Sequence, residues 1–128
     1  MPLYTLACRD SLPQQVRETV ADAITRTHCQ ITDAPPEFVN VIFMDGYGLK
    51  NRWSMAVVGG VRSGGNRNAE LIEKLRQALH QNIASAANLH EDKVGIELVG
   101  VKASWVMEGG KILPEPGAED DWLNNANS

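Results

Sequence analysis

The sequence lacks long hydrophobic runs, clusters of basic residues and a cysteine framework, and each absence excludes a class of protein. No apolar stretch of the 128-residue chain approaches the ~20 residues that a membrane-spanning helix needs. The net charge is -4 and the 12 basic residues are scattered along the chain. The sequence therefore lacks the cluster of basic residues that binds nucleic acid or an anionic membrane. We therefore expect neither nucleic acid nor membrane among its partners.

The cysteines and histidines do not form a metal motif. Cys8 and Cys29 are too few and too unpatterned for a disulfide framework or a metal-binding motif. The histidines, His28, His80 and His90, have no ligand-like spacing with them. We expect no metal and no cofactor. The N-terminus also lacks the basic region and apolar stretch of a signal peptide, which favours a cytoplasmic protein with reduced thiols.

What the chain does have is a proline at its second position, directly before an apolar segment. Methionine aminopeptidase normally removes Met1 when proline follows, which would leave Pro2 with a free secondary amine. Such a nitrogen can act as a base, an acid or a nucleophile. The next residues, 3–8 (LYTLAC), predict a strand rigid enough to aim the nitrogen into a pocket. Many proteins begin Met-Pro for no catalytic reason, so a catalytic role needs support from the rest of the chain.

The rest of the chain alternates strand, helix and strand, and then repeats this order. Apolar residues recur with a helical period in two segments, and short apolar runs bounded by turn residues flank them. The predicted elements are a strand over 3–8, a helix capped at Ser11 that stops before Asp33, a strand over 38–44, a strand over 55–61, a helix capped at Asn66 or Asn68, and a strand over 94–101.

A shift of 55 residues brings the second half of the chain into register with the first. Ser11 falls on Asn66, one cap on another. The apolar residues fall on apolar residues in both helix and strand: Val16, Val20 and Ile24 on Leu71, Leu75 and Leu79, and Val39, Val41 and Phe43 on Val94, Ile96 and Leu98. This indicates two copies of one β-α-β unit, about 2–51 and 53–107, followed by a tail over 108–128, within a single domain.

Two β-α-β units predict an α+β fold, in which a four-stranded sheet carries both helices on one face. The other face stays uncovered and includes apolar side chains. Because a sheet face that exposes apolar side chains is typical of a surface that binds another chain, we expect an oligomer. The shift places Pro2 on Val57, so only the first copy offers a terminal amine.

These features resemble the tautomerase superfamily, whose longer members fuse two β-α-β units in one chain and form trimers. Within it, the chain is similar to the cis-3-chloroacrylic acid dehalogenase group over essentially its whole length. The resemblance is carried by Pro2-Leu3-Tyr4, by the helix segment Ala23-Ile24-Thr25 that ends at His28, by Val61-Arg62-Ser63-Gly64 with Arg67, and by the stretch 108–124 with Gly110, Leu113-Pro114, Pro116-Gly117 and Trp122.

The resemblance implies a homotrimer that acts on a small carboxylate. Pro2 would be the catalytic amine, and Arg62 and Arg67 would bind the carboxylate of the substrate. His28 would add a hydrogen bond to that carboxylate or to water. Glu108 would hold or activate water. Independently of the resemblance, His28 lies four residues after Ile24 on the apolar stripe of its helix, which predicts that it faces inward.

The chain departs from the family pattern at two places. Ser63-Gly64-Gly65-Asn66 separates Arg62 from Arg67, which is two residues more than the usual loop. Glu97 stands where the dehalogenases keep a water-handling tyrosine. By alternation along its strand, Glu97 points opposite Ile96 and Leu98. That direction is either a solvent face or the pocket, where Glu97 would join the substrate-binding residues.

Three functions remain open from the sequence. The first is a tautomerase, an enol–keto isomerase of a small unsaturated or 2-hydroxy carboxylic acid, with Pro2 as general base and acid. The second is a hydrolytic dehalogenase or hydratase of acids such as cis-3-haloacrylate. The third is a non-catalytic trimeric binding protein. We favour the tautomerase because it needs only Pro2 and a carboxylate clamp, whereas addition of water also needs an activated water.

Overall fold

The computed structural model describes residues 2–49 and 52–118. Their elements follow the predicted order. They are β1 (Leu3–Cys8), α1 (Gln14–Thr32), β2 (Asn40–Met44), β3 (Met55–Ser63), α2 (Ala69–Ala86), β4 (Val94–Lys102), β5 (Met107–Glu108) and β6 (Lys111–Ile112). Short 3-10 helices lie at Pro36–Phe38, Glu91–Lys93 and Ala103–Trp105.

The four long strands form one sheet in the order β2-β1-β3-β4. β1 pairs parallel with β2, and β3 pairs parallel with β4. The two middle strands, β1 and β3, run antiparallel. Both helices pack on one face, where their apolar residues form the core with inward-facing residues of the strands. The predicted α+β class, with tandem β-α-β units and both helices on one face, is confirmed.

The 55-residue offset appears in the structure as an approximate twofold axis. Tyr4 of β1 lies directly opposite Gly59 of β3, the residue 55 positions later. On the helices, the amide of Asn82 donates to the hydroxyl oxygen of Thr27 at 2.8 Å, and these residues are also 55 positions apart. Each pair joins a residue to its repeat equivalent, so the axis passes between them.

The start of α1 is where the sequence prediction was wrong. Pro13, not Ser11, occupies the N-cap position of α1, and no side chain caps it. In α2 the cap is Asn68, whose side-chain oxygen accepts from the backbone N–H of Leu71 at 2.9 Å. Pro13 and Asn68 are themselves 55 residues apart. The offset therefore holds for both helix starts, although the pairing of Ser11 with Asn66 as caps does not.

The face of the sheet that carries no helix is largely apolar. The register aligns Ile42, Thr5, Val58 and Glu97 across all four strands of this open face. Leu3, Ile42, Val58 and Val99 are each 40–48% exposed. The described residues thus leave a row of large apolar side chains in solvent, as the sequence predicted.

No helix in residues 2–49 and 52–118 combines the length and apolarity needed to cross a membrane.

Candidate active site

Pro2 immediately precedes β1 and is fully buried. Its carbonyl oxygen accepts from the backbone N–H of Asn40 at 3.0 Å, which ties the start of β1 to β2. On the other side, Leu3 pairs with Gly60 of β3, so Pro2 lies at the same end of the sheet as Arg62. A rigid sheet therefore holds this residue in a defined place. Met1 lies outside the described residues.

His28 and Tyr4 form a buried pair beside Pro2. His28 is on the inward stripe of α1 and is 0% exposed, and so is Tyr4, which is two residues after Pro2 in β1. The Tyr4 hydroxyl lies 2.7 Å from Nδ1 of His28. The rings meet edge to face, with centroids 5.7 Å apart. Nε2 of His28 is buried and has no hydrogen-bond partner among the described residues.

Burial and neighbouring cations keep the imidazole neutral. Desolvation lowers the pKa of His28 to about 3, and the guanidinium groups of Arg67 and Arg62 contribute in the same direction. Burial also raises the pKa of Tyr4 well above its ordinary value, although the nearby Arg67 opposes this. At neutral pH the site therefore contains an uncharged imidazole and an uncharged phenol next to positive charge.

Arg62 is near the end of β3 and is only 3% exposed. Its Nη1 donates to the carbonyl oxygen of Pro114 at 2.7 Å, a contact between residues 52 positions apart in the chain. The segment after β6 thus packs over the end of the sheet and orients this guanidinium. Leu113 and Pro116, in the same segment, are buried as well.

The long loop after Arg62 does bring Arg67 back to the site. Gly64 and Arg67 exchange two backbone hydrogen bonds, with distances of 2.9 and 3.3 Å, around a tight turn. Gly65 has a φ of +55°, and a Cβ on it would lie 2.2 Å from the carbonyl oxygen of Pro116, so the turn needs glycine there. Arg67 is 4% exposed, and its charge acts on both His28 and Tyr4. The tight turn thus accommodates the two residues by which this loop exceeds the family pattern.

Glu108 is half-buried and lies apart from His28. It ends β5, and a tight turn through Gly109 and Gly110, both with positive φ, leads into β6. Its hairpin lines a cleft of about 410 Å³ together with Leu3 and residues 40–42 of β2. This cleft borders the start of β1 from the open face, whereas His28 approaches it from the helix face.

Glu97 is not brought together with the other predicted site residues of the same subunit. It lies in the middle of β4, directly opposite Val58, and it is exposed on the open face. His28 is on the opposite, helix-covered face. A role in binding substrate would have to be played at the site of a neighbouring subunit. Trp122, which belongs to the family-like stretch 108–124, lies outside the described residues.

Sequence reasoning missed the partnership of Tyr4 with His28. The signal was present, because alternation along β1 places Tyr4 on the same face as Leu6, and the helical period turns His28 inward. Two polar side chains that both point into a core need a partner. No pattern in the sequence predicted the contact of Arg62 with Pro114. Among the described residues, no three His, Cys, Asp or Glu side chains are grouped as a metal ion would require.

This geometry defines a class: a tandem β-α-β fold with a proline, an uncharged histidine and two arginines near one end of its central strands. Neither a protein-family model nor a curated protein sequence matches the chain. Solved structures do match. The crystal structure of N1, a member of the cis-3-chloroacrylic acid dehalogenase family, is 28% identical with a TM-score of 0.84, covering 95% of this chain and 90% of that one.

More distant structures share the fold. A fused 4-OT called R7, solved as an asymmetric trimer, is 16% identical with a TM-score of 0.74, covering 86% of this chain and 94% of that one. MIF2 of Leishmania major is also 16% identical, with a TM-score of 0.69 and coverage of 88% and 97%. The predicted likeness to the tautomerase superfamily, and within it to the cis-3-chloroacrylic acid dehalogenase group, is confirmed.

Proposed function

We propose that this protein is a tautomerase of a small unsaturated or 2-hydroxy carboxylic acid and works as a homotrimer. The observation that carries the proposal is the buried cluster of His28, Arg62 and Arg67 at the end of the sheet where Pro2 lies. Two buried positive charges favour a small anion, and the planar fork of each arginine suits a carboxylate.

Pro2 supplies the proton transfer. With Met1 removed, its nitrogen is a secondary amine, and both burial and the arginine cations disfavour its charged form. The neutral nitrogen accepts the proton of the enol hydroxyl, and the resulting ammonium then gives a proton to a carbon of the conjugated chain, so the substrate is isomerised with no change in formula and the amine is regenerated. Arg62 and Arg67 hold the carboxylate, and His28 donates a hydrogen bond to it.

A second candidate is hydrolytic dehalogenation of a 3-haloacrylate, favoured by the 28% identity to a member of the cis-3-chloroacrylic acid dehalogenase family. That reaction needs a water held near Pro2, and Glu108 is the residue we assign to hold it. Enol–keto conversion needs no such water, only Pro2 and the two arginines that hold the carboxylate. We therefore rank tautomerisation first.

One set of assays tests the proposal. We expect wild-type protein to convert an enol acid to its keto form with a higher kcat/KM than that for release of halide from cis-3-chloroacrylate. Pro2→Ala should lose most of the tautomerase activity, because a primary amine of different geometry replaces the ring nitrogen. Intact-mass measurement of the wild type should show that Met1 is absent.

Three results would count against this assignment. A higher kcat/KM for the haloacrylate would reverse the ranking of the two reactions. Full activity in Pro2→Ala would exclude the amine mechanism. Retained Met1, with no turnover of either acid, would favour a non-catalytic trimeric binding protein.

A further inference from the structure

We infer that Tyr4 is a positioning residue, whose hydroxyl donates to Nδ1 of His28 and so fixes the imidazole as the tautomer that carries its proton on Nε2. Nε2–H is then a permanent hydrogen-bond donor for the bound anion. The last step rests on the proposed function, since it takes the anion to be a substrate carboxylate. The tautomer itself is a property of the protein without substrate.

Hydrogen-bond accounting supports this direction of the bond. The phenol has one hydrogen to donate, and the only hydrogen bond of the Tyr4 hydroxyl in the described chain is the 2.7 Å contact with Nδ1 of His28. If Nδ1 carried the proton and donated to Tyr4, the phenolic hydrogen would be buried without an acceptor. Buried polar groups without a partner are costly. Donation by Tyr4 leaves one such group, Nε2–H, whereas the opposite direction leaves two, the phenolic hydrogen and the lone pair of Nε2.

The same accounting applies to the other nitrogen of the imidazole. Nε2 of His28 is fully buried and has no partner in residues 2–49 and 52–118. With Tyr4 as donor to Nδ1, Nε2 carries a hydrogen, and a bound carboxylate or other anion completes the set. In the opposite tautomer, Nε2 would present a lone pair that repels an anion.

Because the His28 imidazole stays neutral, the position of its one proton decides how it interacts with a bound anion. Burial, Arg67 and Arg62 lower the pKa of His28, so the ring does not become an imidazolium with two N–H groups at neutral pH. A neutral imidazole has one N–H, and its position decides whether the ring helps or opposes anion binding. Tyr4 keeps its own proton because burial raises its pKa.

The arrangement exists once in the chain, although the fold is repeated. The repeat equivalents of Tyr4 and His28 are Gly59 and Ile83. Gly59 lies beside Tyr4, and a Cβ on it would come within 2.6 Å of Cε1 of the tyrosine ring. The second unit thus has a glycine at this position, and the ring of Tyr4 fills the space that a side chain would occupy. The pair lies in the unit that carries Pro2.

The test removes one hydroxyl from each tyrosine in turn. Tyr4→Phe keeps the buried ring and deletes the donor. Tyr47→Phe is the matched control, because Tyr47 is 49% exposed and, within the described part of the chain, its hydroxyl contacts only Sδ of Met44 at 3.8 Å. Protein labelled with nitrogen-15 in its histidines reports the tautomer by NMR. Loss of a signal in His28→Gln assigns His28 among the histidines.

In wild type and Tyr47→Phe, we expect His28 to show a protonated Nε2 and an unprotonated Nδ1. In Tyr4→Phe, the two nitrogens should move toward averaged shifts. We expect kcat/KM for an enol acid to fall about tenfold in Tyr4→Phe, the factor that corresponds to about 1.4 kcal/mol. Tyr47→Phe should match the wild type.

Each outcome is decisive. A proton on Nδ1 in the wild type overturns the inference even if Tyr4→Phe does not fold, and so does an unchanged tautomer in a folded Tyr4→Phe. If the wild type turns over no enol acid but shows the expected tautomer, the proposed function fails and the assignment of Tyr4 stands. If the tautomer averages in Tyr4→Phe but kcat/KM is unchanged, the positioning role in catalysis is refuted.

Discussion

Burial affects the polar residues near Pro2 in different ways. Arg62 and Arg67 keep their charge because an arginine side chain is not deprotonated in proteins. His28 and Tyr4 instead stay neutral, since desolvation penalises the charged form of each. The result is a region in which the arginines contribute positive charge and the histidine contributes a directed hydrogen bond.

His28 should make the protein sensitive to acid. Its pKa is about 3 when folded and about 6.5 when unfolded. The unfolded chain therefore binds this proton first, and stability falls as pH drops from about 6.5 toward about 3. Between pH 7 and pH 5 we expect the free energy of unfolding to fall by about 2 kcal/mol from this group. Among the described residues, Arg67 and Arg62 act on its charge and Tyr4 bonds to it.

Urea unfolding at several pH values measures this effect. His28→Gln should have a flatter dependence on pH between 7 and 5 than the wild type. His90→Gln is the control, because the side chain of His90 is 81% exposed and pairs with the exposed Asp92. It should keep the slope of the wild type. Equal slopes for wild type and His28→Gln would show that His28 is not held neutral by burial.

At the scale of elements, β1 and β3 are repeat equivalents whose facing residues at the twofold axis differ greatly in size. Tyr4 and Gly59 lie side by side on the helix-covered face. A second large side chain here would displace the first, so the two strands share the space unequally. This inequality lets β1 place a phenol against α1, while β3 contributes only backbone at the same level.

Gly59→Ala should therefore destabilise the fold. Its Cβ would lie 2.6–2.7 Å from ring atoms of Tyr4 and from Cδ2 of Leu98, closer than atoms can pack. We expect a loss of about 1–3 kcal/mol in the free energy of unfolding, as for other overpacked cores. Gly48→Ala is the matched control, since no atom lies within 4 Å of a Cβ there.

Urea unfolding at matched protein concentration compares the two variants. Both make the same Gly→Ala change in the unfolded chain, so the difference between them reports the folded state. If Gly59→Ala unfolds at the same urea concentration as Gly48→Ala, the ring of Tyr4 is not confined as described.

At the scale of the whole molecule, the described residues 2–49 and 52–118 place helices on one face of the sheet and leave the other face open. The helices protect the core face, whereas Leu3, Ile42, Val58 and Val99 remain in solvent on the other. An exposed apolar surface of this kind favours association. The cleft that includes Glu108 borders the same open face. Assembly through the open face would therefore also change the surroundings of the Glu108 carboxylate.

We expect the protein to sediment at micromolar concentration as a species of about three times the 14.0 kDa chain mass. Val58→Lys should shift it toward the monomer, because a charge would be buried on association without a partner. Gln15→Lys adds the same charge at an exposed position of α1 and should leave the trimer intact. A wild-type monomer would contradict the trimer proposal.

The sequence by itself determined the elements and their repetition. Leu3–Cys8 was predicted with the bounds that the structure has, and the end of α1 at Thr32 was predicted before Asp33. Apolar period is a local property, so it identifies a strand or helix without knowledge of its neighbours. The same kind of period, in the helix, predicted that His28 faces inward. Resemblance to a known family, rather than periodicity, supplied the roles of Pro2, Arg62, Arg67 and Glu108.

Only the tertiary structure decided which side chains meet. Arg62 contacts a carbonyl oxygen 52 residues away, Tyr4 bonds to His28 across 24 residues, and Arg67 returns to the site through a turn in a loop that is longer than the family pattern. It also separated Glu97 from His28 by placing them on opposite faces of the sheet. Such contacts depend on strand order and on the packing of the tail over the sheet. Neither is contained in a local pattern, because both arise from segments that come together only when the chain folds.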